Sequence, residues 1–256
     1  MNYTLYNDDC LNILSQLPDN SIDMVLCDPP YGTTECSWDS VIPIDEMWTQ
    51  LKRVIRPFKA IVLFGQEPFS TMLRYHNISD YKYDWIWVKN RPTNFAHAKN
   101  QPMKKHELIS VFSDGKIAHS NLSLRRMEYN PQGLIDIEEK QVKARTSYDG
   151  TVISSRPSHG DFVRNKTGYP NTILEYAKDN DTFHPTQKPI ALLEYLIKTY
   201  TSENETVLDF TFGSCSTGIA CLNTDRNFIG IERDPTYFNK GKEWMDTLNA
   251  RKINVI

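Results

Sequence analysis

Six short runs of bulky and β-branched residues recur along the chain, at Asp23–Cys27, Ala60–Phe64, Trp85–Val88, Leu108–Phe112, Thr206–Asp209 and Phe228–Ile231. They are apolar almost without interruption, as strands covered on both faces must be. Between several of them lie stretches with helical spacing. Ile44–Ile55 puts Met47, Leu51, Val54 and Ile55 on one face, and Pro189–Tyr200 does the same with Leu192, Leu193, Leu196 and Ile197. Pro189 suits a first helical turn. Alternation of this kind predicts an α/β fold with a doubly wound, mainly parallel sheet.

A chain of 256 residues can bury a substantial core as one α/β domain carrying an insertion or as two domains, and length does not choose between them. From about Lys89 to Pro170 the pattern loosens into polar sequence with Gly115, Gly133, Gly150, Gly160 and Gly168 scattered through it. Such a stretch marks a functional insertion. The expected organisation is a first half over residues 1–88, an insertion over 89–180 that includes a last sheet strand near 107–112, and a second half over 181–256.

The net charge of -3 hides an asymmetry, because Ile86–Lys166 carries 14 Lys and Arg against 8 Asp and Glu, or +6, leaving -9 elsewhere. A basic segment in an acidic chain suits contact with a polyanion, and charge alone would equally suit a solvated insertion. No apolar run approaches the ~20 residues of a membrane span, and the opening Met1-Asn2-Tyr3-Thr4 lacks the layout of a signal peptide. The five cysteines are odd in number without C-x-x-C spacing, so free thiols in a reducing cytoplasm are expected, with no metal site.

Two loops carry the chemistry. Val207-Leu208-Asp209-Phe210-Thr211-Phe212-Gly213-Ser214-Cys215-Ser216-Thr217-Gly218 reads as a strand, a small-residue loop and a helix beginning near Thr217. Small residues let backbone approach a ligand, and the helix start adds N–H donors. The next strand ends at Glu232, 23 positions after Asp209, where a carboxylate can accept from both hydroxyls of a ribose. The loop departs from G-x-G-x-x-G, which disfavours a dinucleotide and leaves several nucleosides open.

The second loop, Asp28-Pro29-Pro30-Tyr31, follows the strand ending at Cys27, at the carboxyl edge where ligands bind open α/β sheets. Its prolines fix φ and supply carbonyls without competing N–H groups. An exocyclic base amine is a poor nucleophile because its lone pair is delocalised. Asp28 and the Pro29 carbonyl can accept its two N–H bonds and free that pair, so that in-line attack becomes a matter of positioning and electrostatics. Tyr31 offers a face for a base flipped from a duplex. Read alone, the tetrapeptide would also serve as a plain turn.

Asn7-Asp8-Asp9-Cys10, Asp28-Pro29-Pro30-Tyr31-Gly32, His184-Pro185-Thr186-Gln187-Lys188-Pro189 and Phe210-Thr211-Phe212-Gly213-Ser214 together resemble the DNA amino-methyltransferases in which D-P-P-Y precedes F-x-G-x-G and the target-recognition segment lies between them. The resemblance implies a Rossmann-like methyltransferase fold in circularly permuted motif order, with S-adenosyl-L-methionine as cofactor. It implies catalytic roles for Asp28, Pro29, Pro30 and Tyr31. For the cofactor it implies Asp9 and Cys10 at the adenine, Asp209, Phe210, Gly213 and Ser214 at the methionine side, and Glu232 at the ribose. Thr186, Gln187 and Lys188 would close over its carboxylate end, with Phe212, Thr217 and Asp28 completing the pocket. The family usually has glycine where Asp8 and Cys215 stand, so the pocket is expected to be tighter or reshaped there.

Lys89, Arg91, Lys99, Lys104, Lys105, Arg125 and Arg126 are the expected phosphate contacts, and Asn94 and Gln132 are candidates for base edges. His106 and His184 are read as structural hydrogen-bonders, since attack by an amine needs no strong base. The expected partner is double-stranded DNA and the expected reaction is site-specific methylation at adenine N6, an assignment that rests on the family's preference for Asp at the start of the motif. Cytosine N4 is the alternative, followed by a non-catalytic DNA-binding protein of the same fold and by an RNA or protein acceptor. Cytosine C5 chemistry needs a thiolate nucleophile, and no Pro-Cys pair occurs. A homodimer and a cognate restriction enzyme are further partners that the resemblance leaves open.

Overall fold

A computed structural model of the protein describes residues 2–32, 41–117, 125–142, 162–179 and 187–253. The chain forms two compact units, one of residues 1–130 with 172–256 and the other of residues 131–171. The elements of the larger unit are β1 (Tyr3–Tyr6), α1 (Cys10–Gln16), β2 (Ile22–Cys27), α2 (Ile44–Val54), β3 (Ile55–Gly65), α3 (Phe69–His76), β4 (Tyr81–Thr93) and β5 (Lys104–Phe112). In chain order β6 (Ile135–Val142) and β7 (Phe162–Thr167) fall next, in the smaller unit. The larger unit then continues with β8 (Ile173–Glu175), α4 (Ile190–Tyr200), β9 (Thr206–Asp209), α5 (Ser216–Asn223), β10 (Asn227–Ile231) and α6 (Pro235–Ile253).

Eight strands of the larger unit make one sheet in the order β1-β10-β9-β2-β3-β5-β4-β8. Every pairing is parallel except the two made by β5, so the mainly parallel sheet expected from the apolar runs is the one found. Alternation along β2 divides the core. Met24 and Leu26 face Leu192, Leu196, Ile219 and Met245 of α4, α5 and α6. Val25 and Cys27 face Leu14, Leu51 and Leu73 of α1, α2 and α3. A fully buried side chain of this size contributes about 1.5–3 kcal/mol, and covering both faces is what a parallel sheet needs.

The helices start and stop for local reasons. Asp9 caps α1 by accepting from the Leu11 N–H at 2.9 Å. In α2, Asp45 and Glu46 in the first turn and Lys52 and Arg53 in the last complement the helix dipole. In the smaller unit β6 and β7 pair antiparallel. There Gly133 and Gly168 both take positive φ, and a side chain on Gly168 would come within 2.5 Å of the Gly133 carbonyl oxygen. Of residues 89–180, the expected insertion, β5 and β8 are thus strands of the main sheet, while residues 131–171 form the separate unit.

Candidate active site

From β2 the chain passes through α2 to β3 on one side, whereas from β9 it passes through α5 to β10 on the other. Crossovers that part in this way open a crevice at the carboxyl ends of two neighbouring strands. Asp28–Tyr31 leave β2 at this point and Phe210–Ser214 leave β9. Asp8–Cys10 follow β1 and Glu232 follows β10, and all four segments line one pocket. Thr211 ties the halves together, because its hydroxyl donates to the Asp28 carbonyl at 3.2 Å and lies 3.0 Å from Cys27 Sγ. Sequence reasoning did not single out Thr211, and a hydroxyl at the first turn after a buried strand was its only signal.

At the β9 side the loop is held by carboxylates. Glu232 Oε2 accepts from the Gly213 N–H at 3.0 Å and Oε1 from the Asp234 N–H at 2.7 Å. Burial raises its pKa above the usual range. Asp209 Oδ2 accepts from the Thr217 hydroxyl at 2.6 Å and Oδ1 from the Thr211 N–H at 3.2 Å, yet burial pushes its carboxyl up to about 6. Asn7 Nδ2 joins the end of β1 to this region by donating to the carbonyls of Glu232 at 2.8 Å and Arg233 at 3.1 Å. Cys10 is buried as a neutral thiol, its pKa pushed up to about 12 by burial.

Cys215 explains the glycine usual at its position. It sits in the left-handed region at φ 66 and ψ 20, a conformation that costs a non-glycine residue roughly 1 kcal/mol. Its neighbours Gly213, Ser214, Ser216 and Thr217 line the pocket and Cys215 does not. The substitution therefore strains the turn locally and does not narrow the crevice, contrary to expectation. Asp8 does line the crevice, where its carboxylate accepts from the Asp9 N–H at 2.6 Å and from Asn12 Nδ2 at 3.1 Å.

Asp28 is the most heavily engaged side chain of the other half. Tyr31 donates its hydroxyl to Oδ1 and Lys188 its ammonium to Oδ2. Lys188 lies 3.4 Å from Glu107 Oε2, and Glu107 Oε1 is 3.1 Å from Lys89. The ammonium also sits 5.0 Å from the centre of the Phe64 ring. Burial raises the Asp28 pKa, and Lys188 opposes that shift without reversing it. Burial would push Glu107 up as well, but Lys188 and Lys89 outweigh it and hold that carboxyl low. The Tyr31 ring leans on Phe69, with centroids 5.1 Å apart and planes tilted by 39°.

Several expected site residues lie elsewhere. Lys89 is not a phosphate contact: it is 2% exposed and paired with Glu107. It follows Trp85 and Trp87 on the same inward face of β4, a period-2 signal that the sequence did contain. Arg125 and Arg126 lie away from the crevice. Arg125 stacks over Phe58 near the start of β3 at 6.0 Å, and Arg126 bridges Lys116 beyond the end of the reversed β5. Both therefore sit at the edge of the sheet opposite the pocket, roughly 20 Å along β3 from its carboxyl end. Arg91, Lys99, Lys104 and Lys105 are exposed on the β4–β5 hairpin, whose Lys104 reaches Gln66 at 2.8 Å beside the carboxyl end of β3. Asn94 takes a left-handed conformation that starts a short 3-10 turn, so it shapes the hairpin tip. Lys188, expected at a cofactor carboxylate, is held by two carboxylates of the chain itself. Thr186 and His184 lie outside the described residues.

A crevice at a topological switch point, with a carboxylate at the end of the strand after the glycine loop and a second carboxylate clamped across from it, defines a nucleoside-binding α/β enzyme. The chain belongs to the DNA methylase family of N6 and N4 methyltransferases, which it matches over residues 22–243. It is 23% identical over 265 aligned positions to the type II methyltransferase M2.MboI of Moraxella bovis, covering 94% of this chain and 86% of that one. In fold it is similar to the crystal structure of the M1.HpyAVI–SAM complex (TM-score 0.60, 24% identity, 94% of this chain and 99% of the other). It is also similar to the PvuII DNA methyltransferase, described as cytosine-N4-specific (TM-score 0.66, 15% identity, 99% and 93%).

Proposed function

We propose that this DNA methyltransferase moves a methyl group from S-adenosyl-L-methionine to the N6 amine of an adenine flipped out of the duplex. The observation that carries the reading is the junction itself, where Asp28 is clamped by Tyr31 and Lys188 and tied through Thr211 to the loop of the other half. The crevice fits the cofactor by its charge. Five carboxylates, Asp8, Asp9, Asp28, Asp209 and Glu232, line it against Lys188 and Arg233, an arrangement that repels a pyrophosphate and suits a sulfonium. Gln187 adds a buried Oε1 in the same lining with no hydrogen-bond partner among the described residues, an acceptor open to a ligand N–H. Glu232, Asp209, Phe210, Phe212, Gly213, Ser214 and Thr217 would hold the cofactor, with Asp9 and Cys10 at its adenine end.

The bound cofactor supplies an electrophilic methyl group on a positive sulfur. What remains for the protein is to present the nucleophile. Asp28 and the Pro29 carbonyl accept the amine N–H bonds, Pro30 keeps the loop rigid, and Tyr31 stacks on the base while its hydroxyl steadies Asp28. The cytosine-N4 reading is favoured by the likeness to the PvuII enzyme, and the amine chemistry is the same for both bases. Digesting methylated DNA to nucleosides separates them: N6-methyladenine is expected, and N4-methylcytosine alone overturns the adenine assignment.

The exposed cations of the β4–β5 hairpin are proposed to hold the DNA backbone. Affinity is then expected to fall with salt, and the joint change of Lys104 and Lys105 to alanine to reduce the slope of log K against log salt by about 0.9 per lost phosphate contact. An unchanged slope in a fluorescence-anisotropy titration removes these two lysines from the interface.

A further inference from the structure

Four charged side chains from four parts of the fold meet beneath the Asp28 loop in alternating order: Lys89 of β4, Glu107 of β5, Lys188 just before α4, and Asp28 after β2. Their side chains are 2%, 8%, 8% and 20% exposed along that order. Charges this deep cost several kcal/mol each unless paired, so a row of four is an expensive way to join strands. Two apolar residues in place of Lys89 and Glu107 would hold β4 to β5 at least as well. The row ends on the reacting carboxylate, and Glu107 Oε2 makes no hydrogen bond among the described residues, meeting Lys188 only as an ion pair at 3.4 Å.

We propose that Lys188 and Glu107 are positioning residues for Asp28, with Lys188 fixing its orientation and charge and Glu107 sharing the ammonium so that Asp28 stays a strong acceptor for the substrate amine. Lys89 anchors Glu107 from the other side. The inference rests on the proposed role of Asp28 at the amine. A lysine paired with Asp28 alone would withdraw electron density from the carboxylate and weaken its hydrogen bonds to an N–H. Shared between two carboxylates it holds each less tightly. The influences on Asp28 run in opposite directions, since Lys188 lowers its pKa and Glu107 raises it. The other groups facing this cluster are Tyr31, Cys27, Asp209 and Lys178.

The test uses the full chain carrying 13C-labelled aspartate, with the Asp28 carboxyl signal assigned by its loss in Asp28→Asn and followed against pH by NMR. Lys188→Met is expected to move the Asp28 titration to higher pH, and the isosteric Glu107→Gln to move it to lower pH. In methyl-transfer assays the same variants shift the acid limb of kcat in the same two directions. Lys188→Met loses about 10²-fold in kcat, Lys188→Arg recovers much of it, and the dissociation constant of S-adenosylhomocysteine stays unchanged throughout. An Asp28 titration that stays in place in both variants overturns the proposal. So does a Lys188→Met protein with weakened cofactor affinity and an unmoved titration, which would assign Lys188 to the cofactor. If Lys188→Met fails to fold, the direction of the Glu107→Gln shift decides alone. Because the NMR readout needs no DNA, a wild-type protein that transfers no methyl group would refute the proposed function and leave this inference separately tested.

Discussion

Replacing Asp28 with alanine is expected to lower kcat for methyl transfer by about 10³-fold or more, while the protein stays folded and still binds duplex DNA. The loss is large because Asp28 is the one carboxylate that Tyr31 and Lys188 hold in place at the junction of the two halves. No neighbouring acceptor can move into its position from the rigid loop. The fold survives because Glu107 remains between Lys188 and Lys89 as their shared counterion when Asp28 is removed, so neither ammonium is left without a carboxylate. Asp28→Asn should fall between wild type and alanine, since its amide oxygen still accepts one N–H bond. The pH dependence has a defined sign. Burial raises the Asp28 pKa and the ionised form is the stronger acceptor for the amine N–H bond that Pro29 does not take, so activity is lost on acidification at a pH above the ordinary carboxylate range. Single-turnover rates with labelled cofactor measure both effects, and full activity in Asp28→Ala would refute the mechanism.

The central strands were legible because continuous burial leaves an uninterrupted apolar run, as in β2, where all six residues are buried. Strand β1 was not, since its four residues are mostly half-exposed at the sheet edge and mix tyrosine with threonine. Nor was β8, which has three residues and buries only Leu174. In α6 the one fully buried side chain is Met245, against partly covered Phe238, Trp244 and Leu248, so its apolar face is too diluted to stand out. The pocket loops were legible as chemistry, since Asp28-Pro29-Pro30-Tyr31 and Phe210–Ser214 each follow a buried strand. What brings them together is strand order, and no local pattern encodes the adjacency of β2 and β9. The row of buried charges stayed hidden for another reason. Lysine and glutamate are almost always exposed, so Lys89 was read as a phosphate contact and Lys188 as a cofactor contact, and Glu107 was not singled out.

Asp209→Asn is expected to stabilise the fold while weakening the cofactor site. Asp209 is 4% exposed, and its oxygens accept from Thr217 and Thr211, with the Cys27 thiol a further hydrogen-bonding neighbour. No cation contributes to its pKa, which burial pushes from the usual value near 4 up to about 6. A carboxyl raised in the folded state lends its full stability only below its unfolded pKa and loses it as pH rises through about 6. At 1.36 kcal/mol per pH unit, the ionised form then costs the fold about 3 kcal/mol above pH 7. Asparagine removes the charge and keeps the shape, and the Thr217 hydroxyl can turn to accept from its amide. The melting temperature of the variant should therefore exceed that of wild type at pH 8 by several degrees, with the difference closing as pH falls from about 6 to about 4. Glu67, Asp225 and Asp246, whose pKa values are lowered by Arg74, Lys252 and Lys242 among their partners, act in the opposite sense but are common to both proteins and cancel in the difference. A buried carboxylate retained at such a cost is best explained by a positive ligand that compensates it. Cofactor affinity should accordingly drop in Asp209→Asn at pH 8, and calorimetry of both proteins across the pH range would overturn this account if the two melting curves ran parallel.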